Sequence, residues 1–233
     1  MKTTDHLGRP VVVVTGAGVV TSLGQGKQEN WAALSAGRSG IHPITRFPIA
    51  HLSTTIAGTV DFLEASDKGA SALTFQLADL AVEEAIEQAG FTRGRFEGPL
   101  FLASPPVEID WHERIRLHQA GIEGEGCDRL LDAARRTTPQ PLFESSQFGT
   151  IAERLTRKHG TRGLPITLST ACASGATAIQ LGVQAIRRGE CDRALAIGAD
   201  GSATAEALIR FSLLSALSTQ NERPQKASKP FSK

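Results

Sequence analysis

The spacing of apolar residues shifts repeatedly along this chain, and each shift marks a change from strand to helix. Val11–Val14 is an unbroken β-branched run of the kind that fills a buried strand, and it leads into Thr-Gly-Ala-Gly at 15–18. Lys27 to Ala36 predicts a short helix that Gly37 stops, and Thr54 to Val60 predicts a strand. The clearest amphipathic helix is predicted over Ala72–Ala89. Leu73, Leu77, Leu80, Ala81 and Ala85 share one side, Glu83, Glu87 and Gln88 face away, and Gly90 ends it. Pro99 to Ala103 predicts another strand. Residues 104–145 lack a clear period apart from a helical pattern near Trp111–Ala120, with Pro105-Pro106 and Gly- and Pro-rich joints around it. Ser146 to His159 predicts a helix with a basic end. Leu164 to Leu168 reads as a short buried strand. The segment from Ala173 reads as a helix apolar on most sides, which belongs in a protein interior, closed by Arg187, Arg188 and Gly189. A strand at Arg193–Ala199 and a helix near Thr204–Leu214 follow. This alternation predicts an α/β layered fold with much parallel sheet.

The junction before the apolar helix carries the candidate chemistry. Thr-Ala-Cys-Ala-Ser-Gly at 170–175 places one thiol where a strand ends and a helix begins. The first N–H groups of a helix have no intrahelical partner, and together with the helix dipole they favour a thiolate over a thiol. The thiolate is the nucleophilic form, so Cys172 is the candidate nucleophile. A small cysteine that merely packs fits the same spacing. Two other motifs fit poorly. Gly16-x-Gly18 has Thr21 where a dinucleotide fingerprint needs its third glycine, and no acidic residue stands about twenty positions beyond the loop. A tight turn leaving a buried strand reads better. A hydrolase elbow needs glycine two before and two after the nucleophile, where this chain has Thr170 and Ser174.

Composition narrows the classes further. Across 233 residues, 25 basic and 24 acidic side chains give a formal net charge of +1, so no global field favours nucleic acid. Cys127, Cys172 and Cys191 are odd in number and far apart, with no zinc spacing, which points to a reducing, cytoplasmic setting. The polar start, Met-Lys-Thr-Thr-Asp-His, is unlike a signal peptide, and the apolar runs are too short for a membrane span.

Four segments in order resemble the β-ketoacyl-acyl-carrier-protein synthases of the elongating type, in the thiolase-like superfamily. They are Val-Val-Val-Thr-Gly-Ala-Gly-Val-Val-Thr-Ser-Leu-Gly at 12–24 with Trp31 to Ile41, then Ser169 to Ile179, then Gly198-Ala199-Asp200, and Phe211 to Phe231. The resemblance implies the first half of such an enzyme: a thiolase-like layered α-β-α half with a mostly parallel mixed sheet and a buried nucleophile helix. It implies that Cys172 accepts an acyl group from the phosphopantetheine of acyl carrier protein. A malonyl thioester then loses carbon dioxide and attacks the acyl-cysteine, giving a 3-oxoacyl product two carbons longer.

The resemblance also implies which parts are present. The Cys172 backbone N–H is one oxyanion donor, and Phe211 falls where the family has a phenylalanine near the acyl pocket, a position that a simple core or interface aromatic would fit equally well. No cofactor is implied beyond the carrier-bound substrates. The family's two histidines, its lysine and its second oxyanion donor belong to a second half. His6, His42, His51, His112, His118 and His159 match none of those motifs and read as surface or loop residues. The chain is therefore expected to be half of a longer enzyme, or a half-protein with a partner chain, exposing an apolar face where the second half packs. A non-catalytic subunit of the chain-length-factor kind is the alternative, although that kind normally lacks the cysteine; a cysteine hydrolase fits less well. Relatives pair as homodimers through a strand close to the nucleophile. For the acidic carrier protein, relatives often carry several basic residues in the helix that corresponds to 64–76, where this chain has Lys68 alone. Arg187, Arg188, Arg210, Arg223, Lys226 and Lys229 are the other candidates. Cys127 reads as a loop thiol and Cys191 as structural.

Overall fold

In chain order the elements are β1 (Val20–Thr21), β2 (Gly24–Gln25), α1 (Gly26–Ser35), β3 (His42–Pro43), β4 (Ile56–Ala57), α2 (Gly69–Gln88), β5 (Leu100–Ala103), α3 (Trp111–Ala120), α4 (Cys127–Arg136), α5 (Thr150–His159), β6 (Ile166–Leu168), α6 (Ser174–Arg187), β7 (Leu195–Gly198) and α7 (Ala205–Leu213). This computed structural model describes residues 3–63, 69–106, 109–121, 123–136 and 146–231. Part of the hard-to-read region 104–145 and the start of the 64–76 segment, Lys68 included, lie outside the described residues.

Strand β5 organises the layers because all four of its residues are buried, which is what the continuous apolar run Leu-Phe-Leu-Ala demands. It lies between β6 and β7 in an all-parallel sheet of order β6-β5-β7, with Phe101 opposite Ile166 and Ala196. Alternate residues then serve opposite faces. Leu100 and Leu102 pack with Ala78, Val82 and Ile86 of α2 and with Ile151, Ala152 and Leu155 of α5. Phe101 and Ala103 pack with Ala178 and Ala185 of α6. The result is the expected α-β-α layering, reached with a short sheet.

The helical predictions survive well. Helix α3 has the predicted bounds, α2 runs three residues earlier than its pattern indicated, and α5 begins at Thr150 rather than Ser146. Several strand and burial predictions do not survive. The span 54–60 keeps only the two-residue β4, paired antiparallel with β3. The 164–168 strand begins at Ile166 and is an edge strand rather than a buried one. Strand β5 pairs with one edge of β6 and no described strand pairs with the other; Leu164, before the strand, is 91% exposed and Ile166, within it, is 46% exposed. Helix α6 is two-sided rather than enclosed: Ala178, Gly182 and Ala185 meet the sheet, and Ile179 faces outward.

Val11–Val14 forms no strand at all, and Val13 and Val14 are exposed. Its flanks are nevertheless held. The Pro10 carbonyl accepts a hydrogen bond from Arg187 Nε at 3.4 Å, on the α6 side. Beyond it, the Ala17 and Val19 amides donate to Gln88 and Glu84 of α2. An apolar run becomes a strand only when another strand supplies hydrogen-bond partners, and none does so here among the described residues. Nor do the two glycines form the tight turn expected of them. A Cβ on Gly16 would sit 2.0 Å from the Ala85 carbonyl oxygen, and one on Gly18 would sit 1.9 Å from that of Ala81. They are a contact surface against the backbone of α2.

His159 overturns the surface reading of the histidines. It is 2% exposed, and its Nε2 donates to Asp79 Oδ1 at 2.9 Å across the α2–α5 interface. Lys158 pairs with the same Asp79 and with Glu83. Burial holds the His159 imidazole below its ordinary pKa, outweighing the favourable charge of Asp79. The unfolded chain therefore takes up this proton before the folded one does, so stability is complete above the unfolded value of about 6.5 and falls as pH drops through it. Urea unfolding of the complete protein should show stability declining between pH 7.5 and 5.5. The His159→Gln variant should show a shallower decline over the same window. Equal slopes would refute the assignment.

Candidate active site

The carbonyl of Leu168, at the end of β6, accepts from Ser104 N at 3.2 Å, and the chain then turns through Ser169, Thr170, Ala171, Cys172 and Ala173 into α6. Two overlapping turns make the reversal: Ala173 N donates to Thr170 O at 3.2 Å, and Ser174 N donates to Ala171 O at 3.1 Å. Ala171 sits at φ 51°, in the left-handed region that costs a non-glycine residue about 1 kcal/mol or more. Side-chain hydroxyls hold it there. Ser174 Oγ accepts from Thr170 N and donates to Ala171 O, each at 2.7 Å. Thr177 Oγ1 donates to Ala173 O at 3.0 Å and lies 3.1 Å from Thr170 Oγ1. The sequence reading located the thiol at this junction but missed the hydroxyl set. The only local signal for it was a serine opening the helix and a threonine one turn later.

Cys172 is exposed in this turn. Among the described residues its backbone N–H has no hydrogen-bond acceptor. An exposed thiol beside a free amide at a helix start is the minimum for acyl transfer, since sulfur can attack a carbonyl while the amide receives the developing oxyanion. The other cysteines differ. Cys191 packs in the layer between α6 and the sheet, and burial pushes its thiol up, as fits the structural role expected of it. Cys127 is exposed and opens α4 instead of lying in a loop.

No described histidine is hydrogen-bonded to Cys172. His42 contacts the Pro43 and Thr59 carbonyls, and His159 is committed to Asp79. Phe211 stands on α7, 52% exposed, and no ring contact or hydrogen bond among the described residues joins its side chain to the Cys172 turn. Ile209, Leu213 and Leu214, in and just after the same helix, are also open to solvent, at 49%, 81% and 73% exposed. No helix among the described residues is long and apolar enough to cross a membrane.

Comparison with known proteins gives this geometry its context. The sequence profile of the β-ketoacyl synthase N-terminal domain matches residues 9–233. The 3-oxoacyl-[acyl-carrier-protein] synthase 2 of Vibrio cholerae serotype O1 is 30% identical over 236 residues, covering 95% of this chain and 53% of that protein. A putative polyketide β-ketoacyl synthase 1 of Streptomyces halstedii is 30% identical over 227 residues, covering 94% of this chain and 53% of the relative. Among solved structures, a ketosynthase bound to a hexaketide and in complex with a type II polyketide acyl-carrier protein matches with a TM-score of 0.72. It is 25% identical, over 91% of this chain and 51% of that one. A β-ketoacyl synthase from Burkholderia phymatum shares the fold with a TM-score of 0.67 over 94% of this chain. The chain spans about half the length of the curated relatives it matches. With helices on both faces of a parallel sheet and a cysteine turn at the end of one strand, the chain belongs to the β-ketoacyl synthase family, whose N-terminal domain it carries.

Proposed function

We propose that Cys172 is the nucleophile of a decarboxylative acyl condensation, and that this chain is the nucleophile-bearing half of a 3-oxoacyl-acyl-carrier-protein synthase. The observation that carries the reading is the exposed Cys172 thiol next to its own unengaged N–H in the strand-to-helix turn. In the first step the thiolate attacks an acyl thioester carbonyl. Negative charge builds on the carbonyl oxygen beside the Cys172 amide, and the pantetheine thiolate leaves. In the second step a malonyl thioester loses carbon dioxide, and the resulting enolate attacks the acyl-cysteine carbonyl. A carbon–carbon bond forms, the carbon–sulfur bond to Cys172 breaks, and the thiolate returns. The substrates ride on the phosphopantetheine of acyl carrier protein, and the proposed chemistry calls for no other cofactor.

The remaining catalytic groups come from the second half of the enzyme, in the same polypeptide or in a partner chain. Exposed apolar side chains support that arrangement: Val13, Val14, Ile179, Leu213 and Leu214 all lie open to solvent. Phe211, on the same kind of surface, is proposed to border the acyl pocket once that half is in place. The edge of β6 that no described strand pairs with fits a homodimer in which two copies pair strand to strand. The widely spaced thiols, none in a disulfide, fit a cytoplasmic protein. A chain-length-factor role is the second reading. A solved ketosynthase/chain length factor is 27% identical with a TM-score of 0.66, but retention of Cys172 favours the catalytic subunit.

The test is to incubate the complete protein with acyl-carrier thioesters and map the peptides by mass. The expected result is one acyl group on the Cys172 peptide, released as a 3-oxoacyl product when malonyl carrier is added. Acylation elsewhere, or none, would sink the proposal.

A further inference from the structure

We infer that Ser174 is the positioning residue that aims the Cys172 amide at the reacting carbonyl oxygen, an inference that rests on the nucleophile role proposed for Cys172. The argument concerns the single peptide unit between Ala171 and Cys172. This peptide unit is trans, as are all those among the described residues, so its C=O and N–H point in opposite directions. Its carbonyl is Ala171 O, and Ser174 grips that atom twice, through its own N–H at 3.1 Å and through its hydroxyl at 2.7 Å. Fixing the carbonyl fixes the plane, and with it the direction of the Cys172 N–H on the opposite side. The same hydroxyl accepts from Thr170 N at 2.7 Å, so one oxygen spans the Thr170–Ala171 dipeptide that holds the strained residue.

Without the hydroxyl, the carbonyl keeps only the single bond from Ser174 N, and Thr170 N loses its acceptor. Ala171 is then free to leave the left-handed region, which rotates the peptide plane and turns the N–H away. Both hydrogen bonds of the Ser174 hydroxyl go to the backbone, to Thr170 N and Ala171 O, so the intrinsic reactivity of the thiol is a separate matter. That separation makes the role measurable. Acyl transfer from a thioester needs an oxyanion donor, whereas alkylation by iodoacetamide displaces iodide and builds up no oxyanion.

The experiment uses the complete protein and compares Ser174→Ala and Ser174→Thr with the parent. The probes are short, medium and long saturated acyl thioesters of pantetheine, read as acyl transfer to the Cys172 peptide, and iodoacetamide, read at the same peptide. For Ser174→Ala, acyl transfer should fall about ten- to a hundred-fold, a fraction of the loss seen when an oxyanion donor is deleted outright. Alkylation of Cys172 should stay near the parent rate. Ser174→Thr keeps the hydroxyl and should restore acyl transfer. Should the alanine variant fail to fold, the double variant Ala171→Gly/Ser174→Ala removes the strain at 171 while leaving the peptide unclamped. It should alkylate normally and acylate slowly. Parent-like acyl transfer in the alanine or double variant would overturn the inference, and so would acyl transfer and alkylation falling in step. If the parent still transfers acyl groups after Cys172 is alkylated, the nucleophile assignment itself has failed, and that result is distinct from the other two.

Discussion

If Cys172 is the nucleophile proposed above, replacing it with alanine in the complete protein should remove acyl transfer to the protein and lower condensation by on the order of a thousand-fold or more, the scale of loss when a covalent nucleophile is deleted. The other two thiols provide the contrast. Cys127→Ala should leave the rate unchanged, because that thiol is exposed on α4. Cys191→Ala should cost stability rather than chemistry, because its side chain packs between α6 and the sheet. Steady-state formation of the 3-oxoacyl product, with the mass of the Cys172 peptide followed in parallel, checks all three. A Cys172→Ala enzyme with near-parent turnover would remove this residue from the mechanism.

A large stability effect is expected at Gly18 and Gly16. The chain passes α2 so closely that a methyl group at 18 would sit 1.9 Å from a backbone oxygen, and at 16 it would sit 2.0 Å from another. Both obstacles are helix carbonyls, which cannot swing aside as a side chain can. Relief requires the segment to lift away from α2, breaking the hydrogen bonds of the Ala17 and Val19 amides to Gln88 and Glu84. Gly18→Ala should therefore cost roughly 3 kcal/mol or more, the upper range for overpacking. Gly90→Ala is the control. Gly90 has φ 75° with no atom within 4 Å of an added Cβ. It should lose only about 1 kcal/mol, from the backbone conformation alone. Urea midpoints measure both. A Gly18→Ala variant as stable as Gly90→Ala would mean the close approach does not exist.

What could be read from the chain follows from how local each signal is. Helix α2 was legible because apolar residues recur at helical spacing over about four turns, although the core takes Ala78, Val82 and Ile86 where Leu80, Ala81 and Ala85 were expected; β5 was legible because four consecutive apolar residues leave no face for water. The thiol at the β6–α6 junction was legible as a position. Its clamp was not, because nothing in a sequence shows that Ser174 reaches back to both Thr170 and Ala171. Burial of His159 was invisible for a different reason: its partner Asp79 lies 80 positions away on another helix. Val11–Val14 failed as a strand because hydrophobicity reports what a segment would bury, not whether a partner is present. The apolar reading of α6 erred in the same way. Its residues are those of an interior helix, yet the described chain covers only one side of it.

The edge of β6 that the described strands leave open has a bearing on how such a protein is made. Leu168 ends that strand four residues before Cys172, a span of at most about 14 Å. In the proposed pairing, a second subunit would close the strand edge and stand beside the thiol at once. An unassembled subunit would display both together, a strand edge able to template mispairing and a bare nucleophile next to it. Synthesis of subunits in excess of assembly would then carry a double hazard, of precipitation and of stray acylation or oxidation at Cys172. Rapid association soon after translation would protect the chemistry as much as the solubility of the protein.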